Sequence, residues 1–259
     1  RFDVEVEPYS RLASRIVSYN TQAKLEKERG DYVTSVENLP ALLEGEFLPP
    51  RKDFEPWIHM EYAESLKQLT QEKYWNYRGG HIENVNDDYT RPNQGKVKRL
   101  AEDLFAEETD KETLLRRAYD YCAEEIENIS FETERFTEQE LEDLKENKSP
   151  AHVIKNGYGT RMDINGLFAS LATRAGFEAY LAQVENWEDS TFRYFNLGYF
   201  NCADWIVAVR EGNQWRFFDP GSRFLPFGEL NPENSNATVI YADQKYFSWH
   251  ATPKVDPSA

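Results

Sequence analysis

One stretch of the chain, residues 157–219, constrains the fold more than any other. Its centre is an apolar run from Asp163 to Ala175, in which leucine, phenylalanine and alanine repeat at helical spacing. Thr160 and Asp163 have the spacing of a capping box, and Gly176 is a typical helix terminator. Strand-like runs follow at 177–184, 205–210 and 215–219, the last two joined by a short turn. This order predicts an α+β fold in which helices pack on an antiparallel sheet.

The first sixty residues are predicted to be rich in β-structure. Alternating and β-branched segments indicate strands at 2–6, 14–22, 32–36 and 57–63, with a turn at Gly30-Asp31. Three prolines within residues 46–56 argue against a regular helix and favour an extended linker there. The chain opens at Arg1 in a strand-like pattern, without Met or a leader, so we expect it to be a fragment of a longer protein.

The segment between these two parts is predicted to be helical. A helix begins at Thr70, and we expect the run from Arg78 through two glycines to end it near Tyr77. The clearest apolar stripe runs from Glu112 to Ile129 and includes Cys122, which indicates a buried thiol. A second, acidic helix is expected at 137–146, with Ser149-Pro150 closing it.

Charge and composition exclude several classes of protein. The chain has 30 basic and 46 acidic residues in 259, a net charge of −16, which argues against binding to nucleic acid or to an anionic membrane. Residues 101–148 hold 17 of the acids and 6 of the bases, a pattern typical of solvated helix faces. No run of 18 apolar residues is present, so the sequence predicts no membrane span. Two cysteines cannot form a disulfide framework.

The run at 156–179, Asn-Gly-Tyr-Gly-Thr-Arg-Met-Asp followed by the apolar helix and an Ala-Gly-Phe, resembles the core motif of transglutaminase-like domains. Those domains share their core with papain-type cysteine proteases. Residues 204–220 are similar to the second half of that motif. The segments 219–230 and 32–60 resemble a bacterial branch in which the domain follows a β-rich DUF3857 domain. The resemblance implies an α+β transglutaminase-like core after the end of that β-rich domain.

In this family a Cys-x-Asp motif opens the helix, and a His and an Asp on paired strands complete the triad. Here the cysteine position holds Arg161, while Asp163 matches the motif. Asp219 matches the family's aspartate, but the histidine position holds Asp204. The resemblance therefore implies a degenerate triad of Arg161, Asp204 and Asp219. Because a guanidinium cannot act as a nucleophile, we expect these three residues to form a charged cluster instead.

The resemblance also implies the organisation and setting of the chain. We expect the C-terminal part of the DUF3857-like domain plus a linker at 1–60, a transglutaminase-like domain at 61–235 and a C-terminal strand or tail at 236–259. The favoured function is a pseudoenzyme: a non-catalytic module that binds or scaffolds within a bacterial envelope or secreted protein, with a periplasmic or secreted location. A peptide, a protein or a glycan could occupy the former cleft, whose expected lining is Asp163, Trp187, Cys202 and Trp205.

Two enzymatic alternatives remain open from the sequence. One is a cysteine-type amide hydrolase or acyl transferase with a relocated nucleophile, Cys202, paired with His152. The other is a hydrolase that uses the carboxylates of Asp163, Asp204 and Asp219 as acid and base. Aromatic residues at 187–200 suggest a peptide- or sugar-binding wall or the packing of a long loop.

No cofactor is expected, and the histidine and cysteine spacing predicts no zinc site. The oxygen-rich run at 84–88 lacks the glycine and closing glutamate of a calcium-binding loop. A weak calcium site there is the remaining metal alternative.

Overall fold

The computed structural model describes residues 2–6, 13–39, 41, 48, 50–63, 70–90, 94–131, 137–188, 202, 204–243 and 246–254. The strands are β1 (Phe2–Val6), β2 (Ala13–Tyr19), β3 (Glu26–Glu28), β4 (Asp31–Val36), β5 (Trp57–Ala63), β6 (Glu127–Asn128), β7 (Tyr158–Gly159), β8 (Glu178–Val184), β9 (Asp204–Glu211), β10 (Gln214–Phe218), β11 (Thr238–Asp243) and β12 (Tyr246–Ala251). The helices are α1 (Arg51–Phe54), α2 (Gln71–Thr90), α3 (Gln94–Leu104), α4 (Lys111–Glu124), α5 (Glu138–Asp143), α6 (Pro150–Asn156) and α7 (Arg161–Arg174).

The chain divides into two compact units. The first comprises 1–74 and 187–201, and the second comprises 75–186 and 202–259. The predicted strands of the first unit are present: β4 pairs with β1 and β3 in one antiparallel sheet, and β2 pairs with β5 in another. Within the pair β2–β5, the rings of Tyr19 and Trp57 stack at 4.0 Å between centroids. The prediction that residues 46–56 contain no regular helix is wrong at Arg51–Phe54. The single turn of α1 begins directly after Pro50, a position where a proline costs no helical hydrogen bond.

A five-stranded antiparallel sheet organises the second unit, in the order β10-β9-β8-β11-β12. Alternate residues of β9 belong to different apolar clusters: Val207 and Val209 join the cluster built around α4 and α7, and Ile206 and Ala208 join a second cluster. All four side chains are fully buried, so both faces of this central strand are covered. The predicted α+β architecture, with helices on an antiparallel sheet, is confirmed. Residues 236–259 contain β11 and β12, which extend that sheet.

Helix α7 is the buried centre of the second unit. Leu167, Phe168 and Leu171 are fully buried, and the other seven residues between Asp163 and Ala172 are buried as well. The helix packs against α4 on one side and against β8 and β9 on the other. Because α7 has no polar face, its position and the direction of its first turn are fixed by burial on all sides.

The prediction that α2 ends near Tyr77 is wrong. The helix continues through Gly79 and Gly80 to Thr90. The surroundings stabilise it: Arg78 donates to the side chain of Gln183, and Asn86 donates to the carbonyl oxygen of Leu181 and accepts from its amide. These tertiary contacts outweigh the cost of the glycines, about 1 kcal/mol each in a helix interior.

Two further boundaries differ from the predicted ones. Helix α4 ends at Glu124 because the next residues form β6, which pairs in parallel with β7. Ser149-Pro150 starts α6 rather than closing α5, with Pro150 in the first helical turn, where its missing N–H is not needed.

Candidate functional site

The site is built around the first turn of α7. Thr160 is the N-cap; its hydroxyl accepts from the amide of Asp163, and the Asp163 carboxylate accepts from the amide of Thr160 at 2.9 Å. This is the capping box expected from the sequence. It makes Arg161 the first helical residue, and the Arg161 amide donates to the hydroxyl of Ser130 at 2.8 Å.

Asp163 has a structural role in this arrangement. It is 4% exposed, and its Oδ1 accepts from the Tyr89 hydroxyl at 2.7 Å. Its Oδ2 accepts from both donors of Thr160 and from the Asn147 side chain. Burial and the hydrogen bond to Asp163 raise the pKa of Tyr89, so the phenol remains a donor. Both oxygens of Asp163 are therefore occupied in holding the start of the helix.

The guanidinium of Arg161 lies between two carboxylates. Its Nε and Nη2 donate to Asp219 Oδ2 at 3.1 and 2.5 Å, and Nη1 lies 3.2 Å from Asp204 Oδ2. Nη2 also donates to Asn234 Oδ1 at 2.9 Å. The side chain of Asp219 is fully buried, whereas those of Arg161 and Asp204 are 18% and 20% exposed. The charged cluster expected from the sequence is present.

The protonation of Arg161 follows from its neighbours. Burial alone would lower its pKa, but the charges of Asp219 and Asp204 and their hydrogen bonds outweigh burial and raise it. The guanidinium is therefore a permanent cation. One cation against two carboxylates leaves the cluster with a net charge of about −1.

A ring of amides and hydroxyls holds the carboxylates in place. Asn165 donates to Asp219 Oδ1 at 2.8 Å and to the carbonyl oxygen of Trp205 at 2.8 Å, and Ser222 donates to Asp219 Oδ2 at 2.6 Å. The side-chain amides of Asn186 and Asn234 donate to Asp204 Oδ2 at 3.1 and 3.0 Å.

The loop after Asp219 passes close to the helix start. A Cβ on Gly221 would lie 2.3 Å from the carbonyl oxygen of Arg161, so only glycine fits there. The Gly221 amide donates to Asn165 Oδ1 at 2.9 Å, and its carbonyl accepts from Asn128. Sequence reasoning did not single out the residues of this ring. They come from separate parts of the chain, and only Asn165, one helical turn after Arg161, had a spacing that could have indicated it.

Neither cysteine is prepared for nucleophilic chemistry. Cys202 is 4% exposed, and burial, together with the charge of Glu185, raises its pKa. Burial alone raises the pKa of Cys122 well above the usual value. The ring of His152 accepts from the amide of Lys148, and within the described residues no hydrogen bond joins it to Cys202.

A small cleft opens beside the cluster. It has a volume of about 240 Å³ and is lined by Ser130, Thr160, Arg161, Met162, Asp204 and Trp205. Of the four residues expected to line it, Trp205 does so. Asp163, Cys202 and Trp187 are not among the lining residues; Asp163 is held in the capping box, and Cys202 is buried close to Glu185. Residues 189–201 of the aromatic segment lie outside the described part of the chain.

The described residues offer no group of three or more His, Cys, Asp or Glu side chains that could hold a metal ion. The oxygen-rich run at 84–88 lies within α2, where Asn86 is engaged with the backbone of Leu181. None of the described helices is long and apolar enough to cross a membrane.

Comparisons with known proteins give a fold but no family. No family model matches the sequence, and no curated protein matches it. The crystal structure of "a putative protease from Parabacteroides distasonis" matches with a TM-score of 0.63 at 12% identity, over 98% of this chain and 44% of that one. A "putative cysteine protease from Cytophaga hutchinsonii" matches at 12% identity over 98% and 86%, with a TM-score of 0.36, too low to support an argument. This chain spans less than half of the Parabacteroides protein, with which it shares an α+β, protease-like fold.

Proposed function

We propose that this chain is a non-catalytic module with a protease-like fold, which acts by binding rather than by bond cleavage. One observation carries the proposal: the first residue of α7 is Arg161, and its guanidinium is held by Asp219 and Asp204. In the transglutaminase-like motif that the sequence resembles, that position belongs to the nucleophile. A permanently protonated guanidinium has no lone pair with which to attack a carbonyl carbon.

Two of the three carboxylates, those of Asp219 and Asp163, are poorly suited to acid–base catalysis. A general acid needs an oxygen free to carry a proton, but both oxygens of Asp219 accept hydrogen bonds from Arg161, Asn165 or Ser222. Asp163 is equally occupied by Tyr89, Thr160 and Asn147. These contacts weigh against a hydrolase that uses paired carboxylates.

The alternative of a relocated cysteine nucleophile has less support. Reactive thiols are partly exposed and have a lowered pKa, whereas Cys202 is buried and its pKa is raised. It also lies outside the cleft beside Arg161.

The setting that we propose is a larger bacterial envelope or secreted protein in which this module binds or scaffolds. The resemblance to the bacterial DUF3857-containing branch supports this setting. The shared fold with a longer bacterial protein, of which this chain spans 44%, is consistent with a module of a larger chain.

An amide-hydrolysis and cross-linking assay tests the proposal. Wild-type protein, Cys202→Ala and Cys122→Ala are incubated at neutral pH with fluorogenic peptide amides, and with a glutamine peptide plus a primary amine. We expect no turnover above buffer for any of the three. Turnover that Cys202→Ala abolishes and Cys122→Ala retains would overturn the proposal.

A further inference from the structure

We propose that the cleft beside Arg161 binds a sugar ring, through two neighbouring hydroxyl groups held by Asp204 and Arg161 and a ring face against Trp205. This inference rests on the proposed non-catalytic function and names the class of ligand for the same site. It is carried by the polar atoms around the cleft that the protein leaves without a partner.

Asp204 offers one free acceptor. Its Oδ2 faces Arg161, Asn186 and Asn234, but its Oδ1 has no hydrogen-bond partner among the described residues. The side chain is 20% exposed, and Oδ1 is not among the buried polar atoms that lack a partner. The free oxygen therefore reaches solvent at a residue that lines the cleft.

Arg161 offers the matching donor. Its well-aligned hydrogen bonds all come from Nε and Nη2. Nη1 carries two protons and makes one contact, the 3.2 Å ion pair with Asp204. A donor and an acceptor thus lie side by side at the cleft.

Two more groups complete the set. The Ser130 hydroxyl accepts from the Arg161 amide, which leaves its own proton available to donate. In the described structure the indole N–H of Trp205 has no partner and is not buried, so it can also donate, and its ring supplies an apolar wall.

This pattern favours a neutral ligand that both donates and accepts. Arg161 would attract an anion, but Asp204 would repel it. A cation would be attracted by Asp204 and repelled by Arg161. A backbone peptide group directs its N–H and C=O to opposite sides, so one such group cannot satisfy both partners. Adjacent ring hydroxyls can do so, since each is a donor and an acceptor.

The size of the cleft agrees with a single ring. Its volume of about 240 Å³ lies below the roughly 300–1,000 Å³ typical of pockets for larger ligands. A sugar ring also carries an apolar face that can lie against an indole while its hydroxyls reach the charged pair.

Binding is tested by titrating the ¹⁵N-labelled 259-residue chain with the methyl glycosides of glucose, galactose and mannose. These probes present different hydroxyl configurations. Fully O-methylated methyl glucoside is the matched control, because it keeps the ring and loses every donor. N-acetylglutamine amide is the control for a primary carboxamide, which could also meet the donor and acceptor. The Trp205 indole signal is the readout.

We expect saturable shifts of that signal with at least one glycoside and none with the methylated control. Asp204→Ala should weaken binding about tenfold, since a hydrogen bond to a charged group is lost. Ser130→Ala, at an exposed residue, is the second variant and should also weaken binding, because a hydroxyl donor is lost. Glu178→Gln, at the opposite end of the β8–β9 pair from Asp204, should leave the affinity unchanged.

Absence of shifts with every glycoside, or shifts with the carboxamide alone, would overturn the inference and leave the non-catalytic function standing. Equal binding of the methylated glucoside would also overturn it, because hydroxyl recognition would then be absent. Hydrolysis of the carboxamide would instead overturn the proposed function.

Discussion

Arg161 stands where a cation is electrostatically disfavoured. The first turn of a helix carries a partial positive charge, which repels a guanidinium. Asp219 and Asp204 reverse this balance, because each carboxylate lies within 3.2 Å of a guanidinium nitrogen. The three residues therefore depend on one another, and removing one carboxylate leaves a largely buried cation undercompensated.

We expect Asp219→Asn to lower the free energy of unfolding by about 3 kcal/mol, the lower end for a broken buried ion pair, because Asp204 remains. Urea unfolding followed by circular dichroism measures the change. Glu178→Gln is the matched control, because it breaks an exposed ion pair with Arg210. The side chains of Glu178 and Arg210 are 39% and 42% exposed, so the variant should lower the free energy of unfolding by less than about 1 kcal/mol. Equal losses in the two variants would show that the cluster contributes no more than a surface ion pair.

The charged residues of the site could be predicted from the sequence, but the groups that hold them could not. Asp163 follows from the capping pattern. Arg161, Asp204 and Asp219 follow from their positions in the transglutaminase-like motif that the sequence resembles. Asn234 and Ser222 give no such signal, since each is a polar residue in a segment without periodicity. They reach the cluster through long-range contacts, and Asn234 lies 73 residues after Arg161.

A capping box begins each of two helices, one of which is buried in the core while the other is short and mostly exposed. Thr160 and Asp163 begin the buried helix α7, and Thr137 and Glu140 begin the short α5. Loss of the capping box should therefore affect the stability of the protein differently in the two helices. In α7 the capped turn also fixes the position of Arg161, whereas α5 spans only six residues.

We expect Thr160→Ala to lower the free energy of unfolding by about 1–2 kcal/mol, the usual cost of a lost N-cap. Thr137→Ala is the matched control and should change global stability by less, because a short helix on the surface can fray while the core remains folded. Chemical denaturation of both variants gives the comparison. A cost for Thr137→Ala equal to that for Thr160→Ala would contradict this account of α7.

Elements were predicted best where local pattern and burial agree. The strands around the hairpin and helix α7 satisfy both requirements. Helix α2 fails because two glycines suggest an end, while Arg78 and Asn86 anchor the helix to residues about 100 positions away. The helix propensity of a local segment does not reflect contacts with residues so far away in the sequence.

The second unit combines an α+β core with a cluster of one arginine and two aspartates at the start of α7. The five-stranded sheet and α7 bring residues 161, 204 and 219 together, as a catalytic fold would bring a nucleophile and its partners. The acidic excess lies mainly in 101–148, a segment that includes α4 and α5. We propose that Arg161, Asp204 and Asp219 occupy the positions of a triad that has lost its nucleophile and base.

The most direct test is to restore those two groups and measure thiol reactivity. Arg161→Cys and Asp204→His are combined in a Cys122→Ala, Cys202→Ala background, and the rate of alkylation by iodoacetamide is followed against pH by mass spectrometry. The matched control carries Arg161→Cys with Asp204 retained, so that a carboxylate disfavours the thiolate.

If the three positions form a triad scaffold, the introduced thiol beside the introduced imidazole should react with an apparent pKa well below about 8.5, the ordinary value. The control should react with a pKa near or above that value. Identical pH profiles in the two folded variants, with a pKa at or above the ordinary value, would contradict the claim.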